Sequence, residues 1–205
     1  MGESSPKQKR HAICLYSLGS SLSSMTTFEE HEDVVTSFCQ YTEQEALFFS
    51  GSKDCTVRLW DTRKPQSAGL FGLTAREISG GMAPRPQGHA TAISSLDSQG
   101  NLLLTADQRE AVMVWDVRTM GSGAPLMKFP MAGVLKLTLI SGKQAVIVTA
   151  QGLHVLNMEA GRLVEVPKFS DGRPNEPYND LRWSRDKSLL FAAGGEGKLD
   201  IYNLS

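Results

Sequence analysis

Four histidines, three cysteines and 22 carboxylates are the raw material for any chemistry in this 205-residue chain. Their spacing organises little of it into a reactive site. Cys14, Cys39 and Cys55 form neither a Cys-x-x-Cys pair nor an even set, and no His-x-x-x-His occurs, so the ligand spacing of a zinc centre is missing. Gly-x-Ser-x-Gly is absent as well, and scattered serines alone carry no nucleophile. Gly194-Gly-Glu-Gly-Lys198 glances at a phosphate-binding loop, but Ala192 stands where the first glycine belongs and Leu199 follows the lysine; a tight turn between strands is the reading. Glu29-Glu30-His31-Glu32-Asp33 could be imagined as a metal or acid-base site. Consecutive side chains on one turn do not converge, so a solvated turn is expected there.

Two of the histidines belong to a pattern of another kind. His31 is followed by Val34-Val-Thr-Ser-Phe38, Ala46-Leu-Phe-Phe-Ser-Gly-Ser-Lys-Asp54 and Cys55-Thr-Val-Arg-Leu-Trp-Asp-Thr-Arg63. His89 is answered by Ala92-Ile-Ser-Ser-Leu96, Asn101-Leu-Leu-Leu-Thr-Ala-Asp107 and Ala111-Val-Met-Val-Trp-Asp-Val-Arg118. Each unit is three short β-type runs between turn residues, opened by histidine and closed by Trp-Asp. Two fainter copies follow, at 134–156 with Leu156 in the tryptophan place and at 181–204 with Tyr202 there, while Tyr16 takes that slot in a remnant at 12–18. The anchors 16, 60, 115, 156 and 202 lie 44, 55, 41 and 46 residues apart. The long step holds an insertion at 74–87, whose Gly80-Gly-Met-Ala-Pro-Arg-Pro86 has the composition of an exposed loop. Fourth strands are placed at 24–28, 68–73, 125–130 and 162–166, and no long helical period appears, so the chain reads as all-β.

These residues and their period of about 40–45 resemble the WD40 family, over nearly the whole chain beyond the first ten residues. The resemblance implies a β-propeller: a flexible basic tail at 1–11, then a propeller segment at 12–205, made of a partial blade at 12–30 and blades at about 31–73, 88–131, 132–169 and 178–205. In that family histidine, a Ser or Thr on the second strand, an Asp in the next turn and the tryptophan form a hydrogen-bonded chain within each blade. Carried over, the chain is His31, Ser50, Asp54 and Trp60 in the first unit, and His89, Thr105 and Trp115 in the second. Counting back six from Trp115 gives Arg109 where the first unit has Asp54, which leaves the second network without its carboxylate. The third unit keeps only Thr149 and the fourth nothing of the pattern, so packing must replace hydrogen bonding there.

About four blades and a remnant fall short of the seven usual in the family. The expectation is therefore an incomplete ring belonging to a C-terminal segment or short isoform, with a four-bladed ring closed by 24–28 against 199–204 as the alternative. An open arc would expose sheet edges that invite pairing with other chains.

The expected function is a non-enzymatic protein-interaction scaffold without cofactor, metal or small-molecule substrate. Both strong units end Trp-Asp-x-Arg, which resembles the box found in substrate receptors of cullin-4 ubiquitin ligases; this makes Arg63 and Arg118 candidate partner-binding residues and a ligase adaptor the alternative partner. A net charge of -1 supplies no field to gather nucleic acid or an anionic membrane. No apolar run approaches the roughly 18 residues that span a bilayer. The odd, unpaired cysteines suit reduced thiols, hence a cytoplasmic or nuclear location. Lys7-Gln-Lys-Arg-His11 reads as part of the basic tail rather than a localisation signal, and Trp183 as a core residue beside Leu181.

Overall fold

The structure is a computed structural model that describes residues 11–18, 22–71, 88–119, 124–165, 178–184, 186 and 188–203. Of the anticipated basic tail at 1–11, all but His11 lies outside the described residues, as does the insertion at 74–87, and His11 belongs to the first strand rather than to a tail. Every sheet is antiparallel and follows chain order. β1 (His11–Leu18) and β2 (Leu22–His31) form a hairpin. β3 (Val35–Gln40), β4 (Leu47–Ser52), β5 (Val57–Asp61) and β6 (Ser67–Phe71) make the first four-stranded blade. The second holds β7 (Ile93–Gln99), β8 (Leu102–Asp107), β9 (Ala111–Asp116) and β10 (Met127–Pro130). The third holds β11 (Val134–Ser141), β12 (Gln144–Thr149), β13 (Gly152–Asn157) and β14 (Arg162–Glu165). β15 (Tyr178–Ser184), β16 (Leu189–Gly194) and β17 (Leu199–Asn203) complete the series as a three-stranded sheet.

Sequence pattern explains the layers. β9 reads Ala-Val-Met-Val-Trp and β12 Ala-Val-Ile-Val, apolar on both faces, because each is a central strand with a neighbouring blade on either side. β3 alternates half-buried and exposed residues, as an innermost strand facing an opening should. β7 and β8 are joined by a tight hairpin whose Gly100 adopts φ +57°, a backbone conformation costly for any residue with a Cβ.

Packing is between blades rather than within them. Each of the three apolar clusters straddles one boundary, joining blade one to two, two to three and three to the last sheet. At the first boundary the fit is so close that a Cβ on Gly51 would lie 2.4 Å from Ile93 Cγ2. Polar groups on the innermost strands tie the same boundaries. Thr36 Oγ1 donates to Ile93 O at 2.6 Å and Ser98 Oγ to Gln40 O at 2.6 Å, while Asp97 Oδ2 accepts from Thr138 Oγ1 and Leu139 N, both at 2.9 Å. The innermost strands β3, β7, β11 and β15 thus stand side by side around a cleft of about 610 Å³.

The ring does not close through β2: among the described strands β17 pairs with β16 alone and β2 with β1 alone. Glu29 to His31 also depart from the expected solvated turn, since they end β2, with His31 opposite His11. The charges hid a strand whose buried members are Phe28 and His31, and Glu30 is paired, accepting from Arg58 Nη1 at 2.6 Å and from Ser67 N at 2.7 Å. Burial alone would raise the Glu30 carboxyl, but the Ser67 hydrogen bonds and Arg58 hold it below the ordinary value.

Candidate functional site

Strand register sets the geometry of each blade's polar centre. Trp60 on β5 stands opposite Phe48 on β4, and Ser50, two residues on, projects from the same face of β4 as Phe48. His31 arrives from the end of β2, and Asp54 from the turn between β4 and β5. Ser50 Oγ lies 2.7 Å from His31 Nε2 and 2.7 Å from Trp60 Nε1, and His31 Nδ1 lies 2.8 Å from Asp54 Oδ2. The donor inventory orders these contacts. Indole N–H can only donate and an ionised carboxylate can only accept, so the consistent arrangement runs Trp60 to Ser50, Ser50 to His31 Nε2, and His31 Nδ1–H to Asp54. The other Asp54 oxygen accepts from Thr56 N at 2.9 Å and Thr56 Oγ1 at 2.6 Å. Burial alone would raise the Asp54 carboxyl, but the hydrogen bonds of His31 and Thr56 reverse this and hold it well below the carboxylate range.

The second blade builds the same centre with one substitution of position. Thr105 Oγ1 lies 2.6 Å from His89 Nε2 and 2.8 Å from Trp115 Nε1. The carboxylate is Asp107, whose Oδ2 is 2.8 Å from His89 Nδ1 and whose Oδ1 accepts from the backbone N–H of Arg109, Glu110 and Ala111 at 3.0, 2.6 and 3.2 Å. The expectation of an incomplete second network is thereby corrected. Asp107 ends β8 at the register place held by Ser52 in blade one, while the Arg109 side chain is exposed. Fixed-offset counting from tryptophan missed it, although Asp107 was in plain sight two residues after Thr105, within reach of the same histidine. Burial again pushes this carboxyl up, and His89 together with the turn amides brings it well below the carboxylate range.

Measured by distances alone, Ser50–His31–Asp54 and Thr105–His89–Asp107 have the hydroxyl, imidazole and carboxylate order of a hydrolytic triad. Neither can work as one. Ser50 and Thr105 are completely buried, and each hydroxyl oxygen already accepts from an indole N–H, which leaves no room for an acyl carbon.

The other two blades solve the centre differently. In blade three Ile147 and Leu156 fill the register places of Ser50 and Trp60, both fully buried. Thr149 is not the hydroxyl of that centre; it lies two residues further on, beside His154 Nε2 at 3.1 Å. The last sheet is not devoid of polar structure either. Tyr202, opposite Leu190 as Trp60 is opposite Phe48, has its hydroxyl 2.7 Å from that of Tyr178, which donates to Asp200. Burial, followed by these hydrogen bonds, pushes the Tyr178 hydroxyl up from its ordinary value. Lys198 Nζ sits 3.2 Å from Asp200, and Gly195–Gly197 form a short 3-10 turn, so the glycine-rich stretch closes on itself as a turn.

Arg63 and Arg118 occupy matching places after β5 and β9 and make matching forks. Arg63 Nε and Nη2 donate to the two Asp61 oxygens at 2.8 Å each, and Arg118 does so to Asp116 at 3.0 and 2.7 Å. The bidentate bonds hold Asp61 and Asp116 down to about 2. Both arginine side chains stay open to solvent, 69% and 68% exposed. Cys39, on β3, has its thiol pushed up to about 12 by burial and by the nearby Asp97, so it is held as the unreactive thiol. Trp183 is half-buried against the last apolar cluster and lines the central cleft. No group of three or more His, Cys, Asp or Glu among the described residues could hold a metal ion.

Comparison with known proteins places this geometry. The family model "WD domain, G-beta repeat" matches residues 22–61, the stretch that contains all four residues of the first network. WD repeat-containing protein 82 of Drosophila melanogaster is 24% identical over 86% of this chain and 52% of that protein. WD repeat-containing protein 37 of Mus musculus is 24% identical over 85% of the chain and 33% of that protein. The chain spans about half the length of the first of these relatives and less of the second. Among solved structures, the C-terminal WD40 domain of Sif2 superposes with a TM-score of 0.68 at 15% identity, over 96% of this chain and 53% of that one, and shares the fold. With repeated blades, His-to-Trp centres in register, a repeat model matching residues 22–61 and WD-repeat relatives similar along most of its length, this chain has the WD40-type β-propeller fold.

Proposed function

We propose that the chain is a non-enzymatic protein-interaction scaffold. The observation that carries this reading is the sealing of both Ser/Thr–His–Asp centres beneath tryptophan: the residues best arranged for chemistry are spent on rigidity. What remains open is surface presented by rigid sheets, namely the inter-strand loops and the cleft lined by β3, β7, β11 and β15. Affinity capture of the protein with mass spectrometry tests it. Stoichiometric protein partners, lost on Arg182→Ala in the cleft while the melting temperature stays unchanged, are the expected result. Recovery of chaperones alone counts against it.

A second reading has its own observation. Arg63 and Arg118 end their blades in the same way, each with its guanidinium fixed by an aspartate and its side chain open to solvent. Two pre-ordered cations suit the docking box of a cullin-4 ligase substrate receptor. Capture of the ligase adaptor, abolished in Arg63→Ala/Arg118→Ala, would favour it, and undiminished capture by that variant would remove it.

A further inference from the structure

Three strands meet at one carboxylate beside blade one. Glu30 Oε1 accepts from Ser67 N at 2.7 Å, and Oε2 accepts from Ser67 Oγ and from Arg58 Nη1 at 2.6 Å each. Arg58 Nη1 also lies 3.3 Å from Ser67 Oγ. The carboxylate thereby ties the end of β2 to β5 and to the first residue of β6, immediately before His31 enters the polar centre. The Arg58 side chain is 14% exposed, and its Nε is buried without a hydrogen-bond acceptor. One donor of the guanidinium fork is therefore unspent where buried donors are normally paired. The arrangement is particular to this blade, since Met113, His154 and Asp200 hold the register place of Arg58 in the others.

Ser67 is half-buried, but the chain leading to it is not. Arg63, Lys64, Pro65 and Gln66 are all exposed in the turn between β5 and β6, and Ala68 is exposed on the far side of the serine. β6 is the outermost strand of its sheet and pairs with β5 alone, so one edge of the segment is open. Arg63 and Lys64 stand four and three residues before the serine. Cations at that spacing on an exposed segment form the charge pattern that the acidic substrate grooves of base-directed serine kinases select.

We propose that Ser67 is a phosphorylation site whose phosphate takes Arg58 from Glu30 and unfastens the end of β2. The γ-phosphoryl group of ATP is transferred to Ser67 Oγ; the hydroxyl proton passes to the kinase's base and ADP leaves. The product carries nearly two negative charges and three strong acceptor oxygens beside Arg58. It removes the hydroxyl donor that Glu30 uses and sets a like charge against that carboxylate. It also offers the guanidinium a better acceptor, one able to engage the unspent Nε. Glu30 is left to solvent, and the backbone that delivers His31 loses its tie to β5 and β6.

The whole chain and a synthetic peptide of residues 61–71 are incubated with ATP and a panel of base-directed serine kinases, and phosphate is mapped by tandem mass spectrometry. Phosphate on Ser67 is expected in both, at a rate at least about fivefold lower in Lys64→Glu, whose melting temperature stays unchanged. In the phosphorylated chain the amides of residues 28–31 are expected to exchange at least about tenfold faster than before, with those of β12 unchanged. Ser67→Ala, which keeps Arg58 on Glu30, should gain far less exchange there. Phosphorus-31 titration should place the second phosphate pKa below that of the phosphopeptide, because Arg58 favours the dianion. A Ser67 left unmodified in the chain or in the peptide overturns the proposal. So does Lys64→Glu modified at the wild-type rate, a phosphate that titrates as in the peptide, or phosphorylation that leaves residues 28–31 as protected as before.

Discussion

Blades one and three have the same four-strand meander and the same register, yet their centres share no chemistry. Blade one holds Trp60, Ser50, His31 and Asp54 in a continuous chain of hydrogen bonds; blade three puts Leu156 and Ile147 in the equivalent places and no polar atom between them. The difference teaches that the polar chain is not what makes a blade. Apolar packing across the blade boundary is common to both, while the network fixes where His31 and the turn around Asp54 must sit. A fully apolar centre tolerates small changes of shape; a polar centre must keep every partner or leave a buried group unsatisfied.

The sharpest way to break this comparison is truncation of the anchors. Trp60→Ala removes a fully buried indole together with its bond to Ser50 and is expected to cost about 3–5 kcal/mol, whereas Leu156→Ala should cost about 2–5. Denaturant melts of the whole protein measure both, and a Trp60→Ala cost below 1 kcal/mol would mean that the indole is not core. The hydroxyl position separates the two chemistries more cleanly. Ser50→Ala takes an acceptor from Trp60 and a donor from His31 at once, for an expected loss of about 1–3 kcal/mol. Ile147→Val, its register counterpart, should cost about 0.5–1.5 kcal/mol. Equal losses would dissolve the distinction between a polar and an apolar centre.

Acid should find blades one and two before blade three. Asp54 and Asp107 have folded-state pKa values below their unfolded ones, so their stabilisation is fully present above the unfolded value near about 4 and is lost as pH falls from there toward the lower folded value. Blade three has no carboxylate at that place. Hydrogen exchange followed from about pH 6 downward is expected to show β4 and β8 amides losing protection ahead of those in β12, and Asp54→Asn to flatten the acid dependence in β4. Asp61 and Asp116 titrate in the same window, but their arginine forks are exposed, and added salt should weaken only their share.

Much of this was legible in the sequence. Trp60 and Trp115 announce third strands because an aromatic flanked by Val, Leu and Met between turn residues has few other homes, and Leu156 and Tyr202 follow from the period. What was illegible depends on side-chain reach rather than on pattern. Glu30 sits in a run of charges that reads as hydrated, and only the fold brings Arg58 and Ser67 to it. The Tyr178–Tyr202–Asp200 group joins strands 22 or more residues apart along the chain, with no motif to mark it. The exposure of Phe38 was hidden for the same reason, since its register equivalents are leucines that the neighbouring blade covers.

Asp107 gives the finest test of how the two polar blades compare. Residues Ser50 to Trp60 and Thr105 to Trp115 are equally long, so a count from tryptophan sets Arg109 against Asp54. The fold satisfies histidine from a different place: Asp107 reaches back to His89 from the end of β8, and its second oxygen is anchored by the amides of residues 109 to 111. Arg109 therefore contributes through its backbone and not its side chain. Arg109→Ala is expected to change stability by no more than about 0.5 kcal/mol, because the N–H donated to Asp107 at 3.0 Å survives. Arg109→Pro removes that donor and should cost more than Arg109→Ala in the same urea melt. If instead Arg109→Ala were as damaging as Asp107→Asn, the guanidinium would be part of the centre, and the two blades would differ in chemistry rather than in the position of one carboxylate.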